Sequence, residues 1–131
     1  MTPQALWIRY AAIWSALAGR RRDELAACLT EDATYCDPNG LITGRDSLSA
    51  YMGQFQETAP GCTFRIRSVL THHDRTLANW SLIPPDGSEL QKGTSFGHLS
   101  DDGRLRTISG FFYETGASEG GVSTSVTHGA T

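Results

Sequence analysis

Tyr35-Cys36-Asp37-Pro38-Asn39-Gly40, residues 35–40, is the stretch that decides the fold of this chain. The alternation of side chains before the turn predicts a short strand over residues 33–37. Pro38 and Gly40 then reverse the chain. A carboxylate that ends a strand at the mouth of a curved sheet lies where proton transfer can take place. Asp37 is therefore the first candidate for chemistry.

Two amphipathic helices are predicted before this strand. Thr2-Pro3 is typical of a helix start, since the threonine oxygen can cap the helix and proline needs no N–H partner there. Apolar residues then recur at helical spacing: Leu6, Tyr10, Ile13 and Leu17. Gly19 is expected to end this helix, and Asp23 to cap the second one.

A third helix and four strands are predicted after the turn. Asp46 is expected to cap the helix, and Pro60-Gly61 to stop it. Alternating segments joined by tight turns follow at residues 62–72, 76–83, 90–99 and 104–114. This order predicts an α+β protein in which a cone-shaped, curved antiparallel sheet packs on three N-terminal helices. Such a cone leaves an interior cavity beside the core.

The bulk properties are those of one globular domain. The chain has 131 residues, of which 39% are apolar and 19% charged. We expect a domain over residues 1–115 and a flexible tail rich in Gly, Ser and Thr over residues 116–131. The net charge of -3 gives no basic footprint for a nucleic-acid partner. No stretch is long and apolar enough for a membrane or a signal peptide, so a cytoplasmic protein is expected.

The order of elements resembles the NTF2-like superfamily, in its SnoaL-like and ketosteroid-isomerase-like branch. The run Leu29–Gly40, with Gly44-Arg45 and the next helix, is similar to the corresponding run of ketosteroid isomerases, and the resemblance extends over about residues 5–114. It implies a catalytic base at Asp37, the aspartate of an Asp-Pro-x-Gly turn. It also implies a hydrogen-bond donor for an oxyanion at the position of Ser95. Ketosteroid isomerases have an acidic residue there, and a serine hydroxyl donates more weakly than a protonated carboxylic acid.

Two carboxylates and one hydroxyl are the candidate catalytic residues. Asp37 would be the base, and Glu114 on the last strand would return the proton. Ser95 or Tyr51 would stabilise a developing oxyanion. Such a set suits cyclisation of a polyketide-like substrate, double-bond migration or epoxide opening, none of which needs a cofactor. The alternatives are that Asp37 only bonds nearby N–H groups of its turn, and that Glu114 is a solvated strand end.

Aromatic residues predict an apolar pocket for a small-molecule ligand, such as a polyketide- or terpenoid-like metabolite. The candidates for substrate binding are Trp14, Tyr35, Tyr51, Phe55, Trp80, Gly110 and Phe112. Gly110 is included because a glycine within a strand leaves room for a ligand. The alternative is that these rings are plain core.

Histidines and cysteines give no metal site. His98 is a possible proton shuttle, but it is expected on the outer face of the sheet, since the strand alternation that turns Ser95 inwards turns His98 outwards. His72-His73 lacks further ligands at useful spacing. The three cysteines are odd in number and lack CxxC spacing, so free thiols are expected.

A homodimer through the outer face of the sheet is also expected. Leu105, Phe111 and Tyr113 alternate with Ile108 and Phe112, so both faces of the last strand are apolar. The sequence leaves three functions open: an acid–base enzyme, a ligand-binding protein without turnover, and a dimerising interaction module.

Overall fold

The computed structural model of the chain describes residues 1–112. Within these residues the chain forms three helices: α1 (Pro3–Ile13), α2 (Ala18–Cys28) and α3 (Arg45–Thr58). The same part of the chain forms six strands: β1 (Leu29–Asp37), β2 (Gly40–Thr43), β3 (Thr63–His72), β4 (Arg75–Ile83), β5 (Gln91–Leu99) and β6 (Leu105–Phe112). The predicted tail, with Tyr113 and Glu114, lies outside the described residues.

The strands form one curved, open sheet in the order β2-β1-β6-β5-β4-β3. The predicted α+β architecture of three helices on a curved sheet is confirmed. The sheet is mixed, however, because β1 pairs with β6 in parallel while every other pair is antiparallel. The prediction of a purely antiparallel sheet is therefore wrong for this pair. A pairing between the first strand and the last depends on where the chain ends up after four hairpins, which local patterns do not record.

The first helix is shorter than its sequence pattern suggests. The Thr2 hydroxyl accepts the Ala5 N–H at 3.1 Å, as expected for a cap, but α1 ends at Ile13 and not at Gly19. Gly19 and Asp23 both lie inside α2, so their predicted roles as terminator and cap are wrong.

A contact from α3 fixes the bend between α1 and α2. Gln56 donates from its side-chain amide to the carbonyls of Trp14 and Ala16, at 2.9 and 2.8 Å. These bonds satisfy the carbonyl groups that the shortened helix leaves free. The predicted cap of α3 is wrong by two residues. Gly44 occupies the cap position, and Asp46 lies in the first turn of the helix.

Two irregularities reverse the predicted direction of apolar side chains. The register of β3 against β4 shifts between Ile66 and Ser68. As a result Val69 packs on the core and Leu70 is 65% exposed, whereas unbroken alternation from Phe64 and Ile66 would turn Leu70 inwards. An extra residue in one strand changes the face of every side chain beyond it.

The second irregularity lies between β5 and β6. The register shifts between His98 and Leu99, which pair with Thr107 and Leu105. Leu105 is consequently fully buried in the core with Ile108. Its predicted place on the outer face is therefore wrong, whereas Phe111 lies there and is 63% exposed.

A buried hydrogen-bond chain docks α1 on the sheet. The Trp7 indole donates to the Thr76 hydroxyl at 2.8 Å, and Thr76 donates to the Gly97 carbonyl at 2.8 Å. The indole lies against Gly97, where a methyl group would approach its ring to 2.6 Å. This contact places the side of α1 that carries Tyr10 and Trp14 over the inner face of the sheet. None of the helices in residues 1–112 is long and apolar enough to span a membrane.

Candidate active site

A half-open cavity of about 240 Å³ lies between α1, α3 and the inner face of the sheet. Its volume is just below the range of about 300–1,000 Å³ that is usual for pockets of drug-sized ligands. All seven residues predicted for substrate binding line it: Trp14, Tyr35, Tyr51, Phe55, Trp80, Gly110 and Phe112. Asp37 and Ser95 line it as well. The structure thus brings the predicted candidates together, except Glu114, which lies beyond residue 112.

Asp37 ends β1 at the wall of this cavity. Its Oδ1 accepts the backbone N–H groups of Asn39 and Gly40, at 2.8 and 3.0 Å. These are the bonds of an aspartate that organises its own turn, so the alternative reading of this motif describes a real part of its role. They also fix the direction in which the carboxylate points.

Two tyrosine hydroxyls complete the hydrogen bonding of Asp37. Tyr35, two residues earlier on the same face of β1, donates to Oδ2 at 2.6 Å. Tyr51 comes from α3 and donates to Oδ1 at 2.8 Å and to Oδ2 at 3.0 Å. Four donors therefore meet a carboxylate that has about four lone-pair sites. The protein alone satisfies the hydrogen-bonding capacity of Asp37.

The two tyrosines hold their protons firmly. Burial, together with the nearby Tyr10 and the Asp37 carboxylate, holds the pKa of Tyr35 well above its ordinary value. Burial and the hydrogen bond to Asp37 raise the pKa of Tyr51 as well. Ionisation is disfavoured because a phenolate beside a carboxylate would lose hydration and meet a like charge. Both residues are therefore hydrogen-bond donors at neutral pH.

Ser95 faces the cavity from β5 and is buried. The Trp80 indole donates to its Oγ at 3.0 Å. Gly110 lies opposite Ser95 in the register of β5 and β6. A methyl group built on Gly110 would lie 3.5 Å from Ser95 Oγ and 3.7 Å from Asp37 Cβ. Asp37 and Ser95 therefore flank the same small space above Gly110.

Trp14 is the centre of the aromatic wall. Its ring lies 5.5 Å from that of Tyr35 and 5.5 Å from that of Phe55, between ring centroids. Tyr51 and Phe64 contact the same indole at 6.1 and 5.7 Å. Mostly tilted and edge-to-face contacts of this kind are favourable and fix ring orientation. The wall beside Asp37 is thus apolar and rigid.

Tyr10 is the site residue that sequence reasoning missed most clearly. It is only 4% exposed, and its hydroxyl has no hydrogen-bond partner within residues 1–112. Burial raises its pKa far above the ordinary value. Tyr10 precedes Trp14 by four residues, so both lie on one face of a helix. A phenol on the same helix face as a predicted pocket residue was the available signal.

Other lining residues were not singled out because they read as core or turn positions. They are Ala11, Asn39, Phe64, Ile66, Leu82 and Gln91. Trp7 lines the cavity as well, as its place among the aromatic residues of the sequence suggests. Phe64 and Ile66 precede the irregularity in β3, and so keep the inward direction that Leu70 loses.

His72, His73 and His98 lie away from the cavity. His98 is 2.8 Å from the Asp74 carboxylate through Nε2, and this contact lowers the pKa of Asp74. The expected placement of His98 outside the pocket is confirmed, since it does not line the cavity. His72 and His73 approach each other through Nδ1 at 3.2 Å. Within the described part of the chain, no group of three or more His, Cys, Asp or Glu residues could hold a metal ion.

The chain matches the SnoaL-like domain family over residues 9–108. It is 27% identical to a candidate isomerase of the SnoaL-like family from Agrobacterium tumefaciens, with a TM-score of 0.79 over 84% of this chain and 96% of that one. A candidate ketosteroid isomerase from Kribbella flavida is 24% identical, with a TM-score of 0.66 over 87% and 79% of the two chains.

A third similar structure is a candidate SnoaL-like polyketide cyclase from Jannaschia sp. CCS1. It is 18% identical, with a TM-score of 0.68 over 86% of this chain and 89% of that one. The likeness to the Kribbella and Jannaschia proteins shows the fold alone. No curated protein sequence matches this chain.

Proposed function

This chain belongs to the SnoaL-like domain family, and we propose that it is an acid–base enzyme of isomerase or cyclase type. Its substrate is a small, mostly apolar molecule that enters the cavity beside Asp37. Asp37 is the general base, and the reaction needs no cofactor.

The observation that carries this proposal is the position of the Asp37 carboxylate. It lines a cavity walled mainly by aromatic rings, which leave less room for water around it, and backbone N–H groups fix its orientation. A carboxylate with few water molecules around it accepts a proton from carbon more readily than a hydrated one. The proposal therefore assigns the proton-abstraction step to Asp37.

Tyr51 has to give up one of its two hydrogen bonds to the carboxylate before Asp37 can accept a proton from the substrate. Its hydroxyl bridges both carboxylate oxygens, and it is only half-buried, whereas Tyr35 is 8% exposed. A small rotation of Tyr51 frees a lone pair on Oδ2 and keeps the bond to Oδ1. The Tyr35 bond meanwhile holds the carboxylate in place.

Ser95 supplies a donor on the other side of the reacting position. Negative charge that develops on a substrate oxygen over Gly110 would be within reach of its hydroxyl. A base (Asp37) and a hydrogen-bond donor (Ser95) on two sides of one position suit the abstraction of a proton next to a carbonyl group. This step occurs in double-bond migration and in ring closure. Glu114 is proposed to return the proton. In epoxide opening, Asp37 would take a proton from an attacking water molecule, and Glu114 would protonate the epoxide oxygen as its C–O bond breaks.

A ligand-binding protein without turnover is the second candidate. The observation that favours it is the complete hydrogen bonding of Asp37 by Asn39, Gly40, Tyr35 and Tyr51. In this second function the carboxylate shapes the pocket and takes no proton from the ligand. The aromatic wall would bind the same class of molecule in either case.

Hydrogen–deuterium exchange at carbon separates the two functions without knowledge of the substrate. A panel of small cyclic ketones and enones is incubated in D₂O with the protein, and deuterium uptake next to the carbonyl is followed by mass spectrometry. An enzyme should accelerate exchange for some members, and Asp37→Asn should reduce this acceleration by about 10²–10⁴-fold. A binding protein gives thermal stabilisation by ligands with no exchange in either variant, and that result would refute the enzymatic proposal.

A further inference from the structure

The hydrogen bond between Trp80 and Ser95 has a fixed direction. The indole group of tryptophan can only donate, whereas a serine hydroxyl has one hydrogen and two acceptor lone pairs. At 3.0 Å from Ser95 Oγ, Trp80 Nε1 must therefore be the donor. The hydroxyl hydrogen of Ser95 has to point elsewhere.

No acceptor within residues 1–112 takes that hydrogen, because the contact with Trp80 is the only hydrogen bond that the Ser95 hydroxyl makes in this part of the chain. Ser95 is 8% exposed and lines the cavity. A buried hydroxyl without an acceptor is costly unless a ligand or water meets it. The cavity is thus the place where a partner for Ser95 can enter.

The sequence around Trp80 is adapted to this contact. Gly93 lies opposite Trp80 in the register of β4 and β5, and a methyl group there would approach the indole ring to 2.1 Å. The ring lies across Gly93 and so reaches Ser95, two residues further along β5. Phe64 and Phe112 hold the ring at centroid distances of 5.1 and 6.0 Å.

The free hydrogen of Ser95 has one near destination. The space above Gly110 begins 3.5 Å from Ser95 Oγ and is bounded on its far side by Asp37. We propose that Trp80 is a positioning residue that directs the Ser95 hydroxyl into this space. The site thereby selects ligands that place an accepting oxygen, such as a carbonyl or enolate oxygen, over Gly110. The inference rests on the proposed function only in assuming that ligands enter this cavity. It does not require that the protein turns the ligand over.

A double-mutant cycle of Trp80→Phe and Ser95→Ala tests this assignment by calorimetry. The cycle is measured in the Asp37→Asn protein, in which no carboxylate within residues 1–112 faces the bound probe. Two matched probes are used at mildly alkaline pH: 4-nitrophenol, which presents a phenolate oxygen, and nitrobenzene, which lacks it. Each single substitution should weaken binding of the phenolate about tenfold and leave nitrobenzene within about twofold. In the Ser95→Ala protein, Trp80→Phe should add little, because its effect passes through the missing hydroxyl.

An NMR measurement keeps the test independent of how well Trp80→Phe folds. In ¹⁵N-labelled protein, the indole N–H resonance of Trp80 should shift when 4-nitrophenolate binds, and this shift should vanish in Ser95→Ala. Three results would overturn the inference. Neither substitution changes the affinity for either probe, Trp80→Phe weakens binding of both probes equally, or the effects of the two substitutions on phenolate binding are additive. An Asp37→Asn protein that binds the phenolate no better than nitrobenzene, or binds neither, would overturn it as well. Loss of the exchange activity described above would leave these binding results intact, so the two proposals fail separately.

Discussion

The Tyr51 hydroxyl bridges the two carboxylate oxygens of Asp37, at 2.8 Å from Oδ1 and 3.0 Å from Oδ2. The contact joins α3 to the end of β1, so it links the position of a helix to the orientation of the candidate base. It also places a phenol with a raised pKa next to a carboxylate. The raised pKa has a consequence that can be measured in the alkaline stability of the protein.

The first prediction concerns alkaline pH. Tyr10, Tyr35 and Tyr51 have folded-state pKa values above the value of about 10 for an unfolded chain. Below pH 10 their contribution to stability is complete. Above it the unfolded chain releases protons that the folded protein keeps, so stability should fall by up to about 1.4 kcal/mol per pH unit for each tyrosine. Urea unfolding at increasing alkaline pH measures the slope.

Phenylalanine variants provide the control for this effect. Tyr35→Phe and Tyr51→Phe should each make the alkaline loss of stability shallower, because each removes one titrating group. A slope that stays the same in both variants would mean that other groups cause the loss.

A second prediction concerns the unpaired hydroxyl of Tyr10. Tyr10→Phe should change the free energy of unfolding by less than about 0.5 kcal/mol, or raise it, since no hydrogen bond within residues 1–112 is lost. Trp7→Phe is the matched comparison, because it removes a buried bond to Thr76 and should cost about 1–3 kcal/mol. Chemical denaturation of both variants gives the two values. A cost above 1 kcal/mol for Tyr10→Phe would indicate a hidden partner of its hydroxyl.

Gly110→Ala is predicted to block the cavity without harming the fold. The added methyl group would lie 3.5–3.8 Å from its nearest neighbours, which is ordinary contact distance. Stability should be unchanged or raised by up to about 1 kcal/mol, while both 4-nitrophenol and nitrobenzene should bind more weakly. Gly19→Ala is the control, because no atom lies within 4 Å of the added methyl group and the site is on α2. Unaltered probe affinity in Gly110→Ala would place the ligand elsewhere.

The outer face of the sheet is predicted to be the interface of a homodimer. Leu70, Phe96 and Phe111 are 65%, 41% and 63% exposed there, and Leu77 joins Leu70 to Phe96 through the strand register. An exposed apolar surface of this kind is unusual for a monomer. Sedimentation should show a dimer at micromolar concentration, and replacing Phe96 and Phe111 by aspartate should give a monomer.

Ile8→Asp serves as the control for the dimer. Ile8 is 52% exposed on α1, away from the outer face of the sheet, so its substitution should leave the dimer intact. A wild-type protein that sediments as a monomer would contradict the prediction.

Much of the candidate site could be predicted because local sequence patterns indicate its residues. Asp37 stands before a proline in a turn motif, and the inward direction of Ser95 follows from alternation within one strand. Trp14 and Tyr51 follow from helical spacing. Glu114 stays a prediction, since it lies beyond residue 112.

The sequence by itself determined the order of the three helices and of five of the six strands in residues 1–112, because turn residues and apolar periodicity act over a few neighbouring positions. It did not predict β2, which follows directly after the Asp37 turn. Only the tertiary structure decided where α1 ends, since Gln56 of α3 meets the carbonyl of Trp14. Strand irregularities decided that Leu70 lies outside and Leu105 inside. Contacts between distant segments also paired β1 with β6 and brought Tyr51 onto Asp37. These outcomes depend on packing between elements far apart in the chain, and no local pattern carries that information.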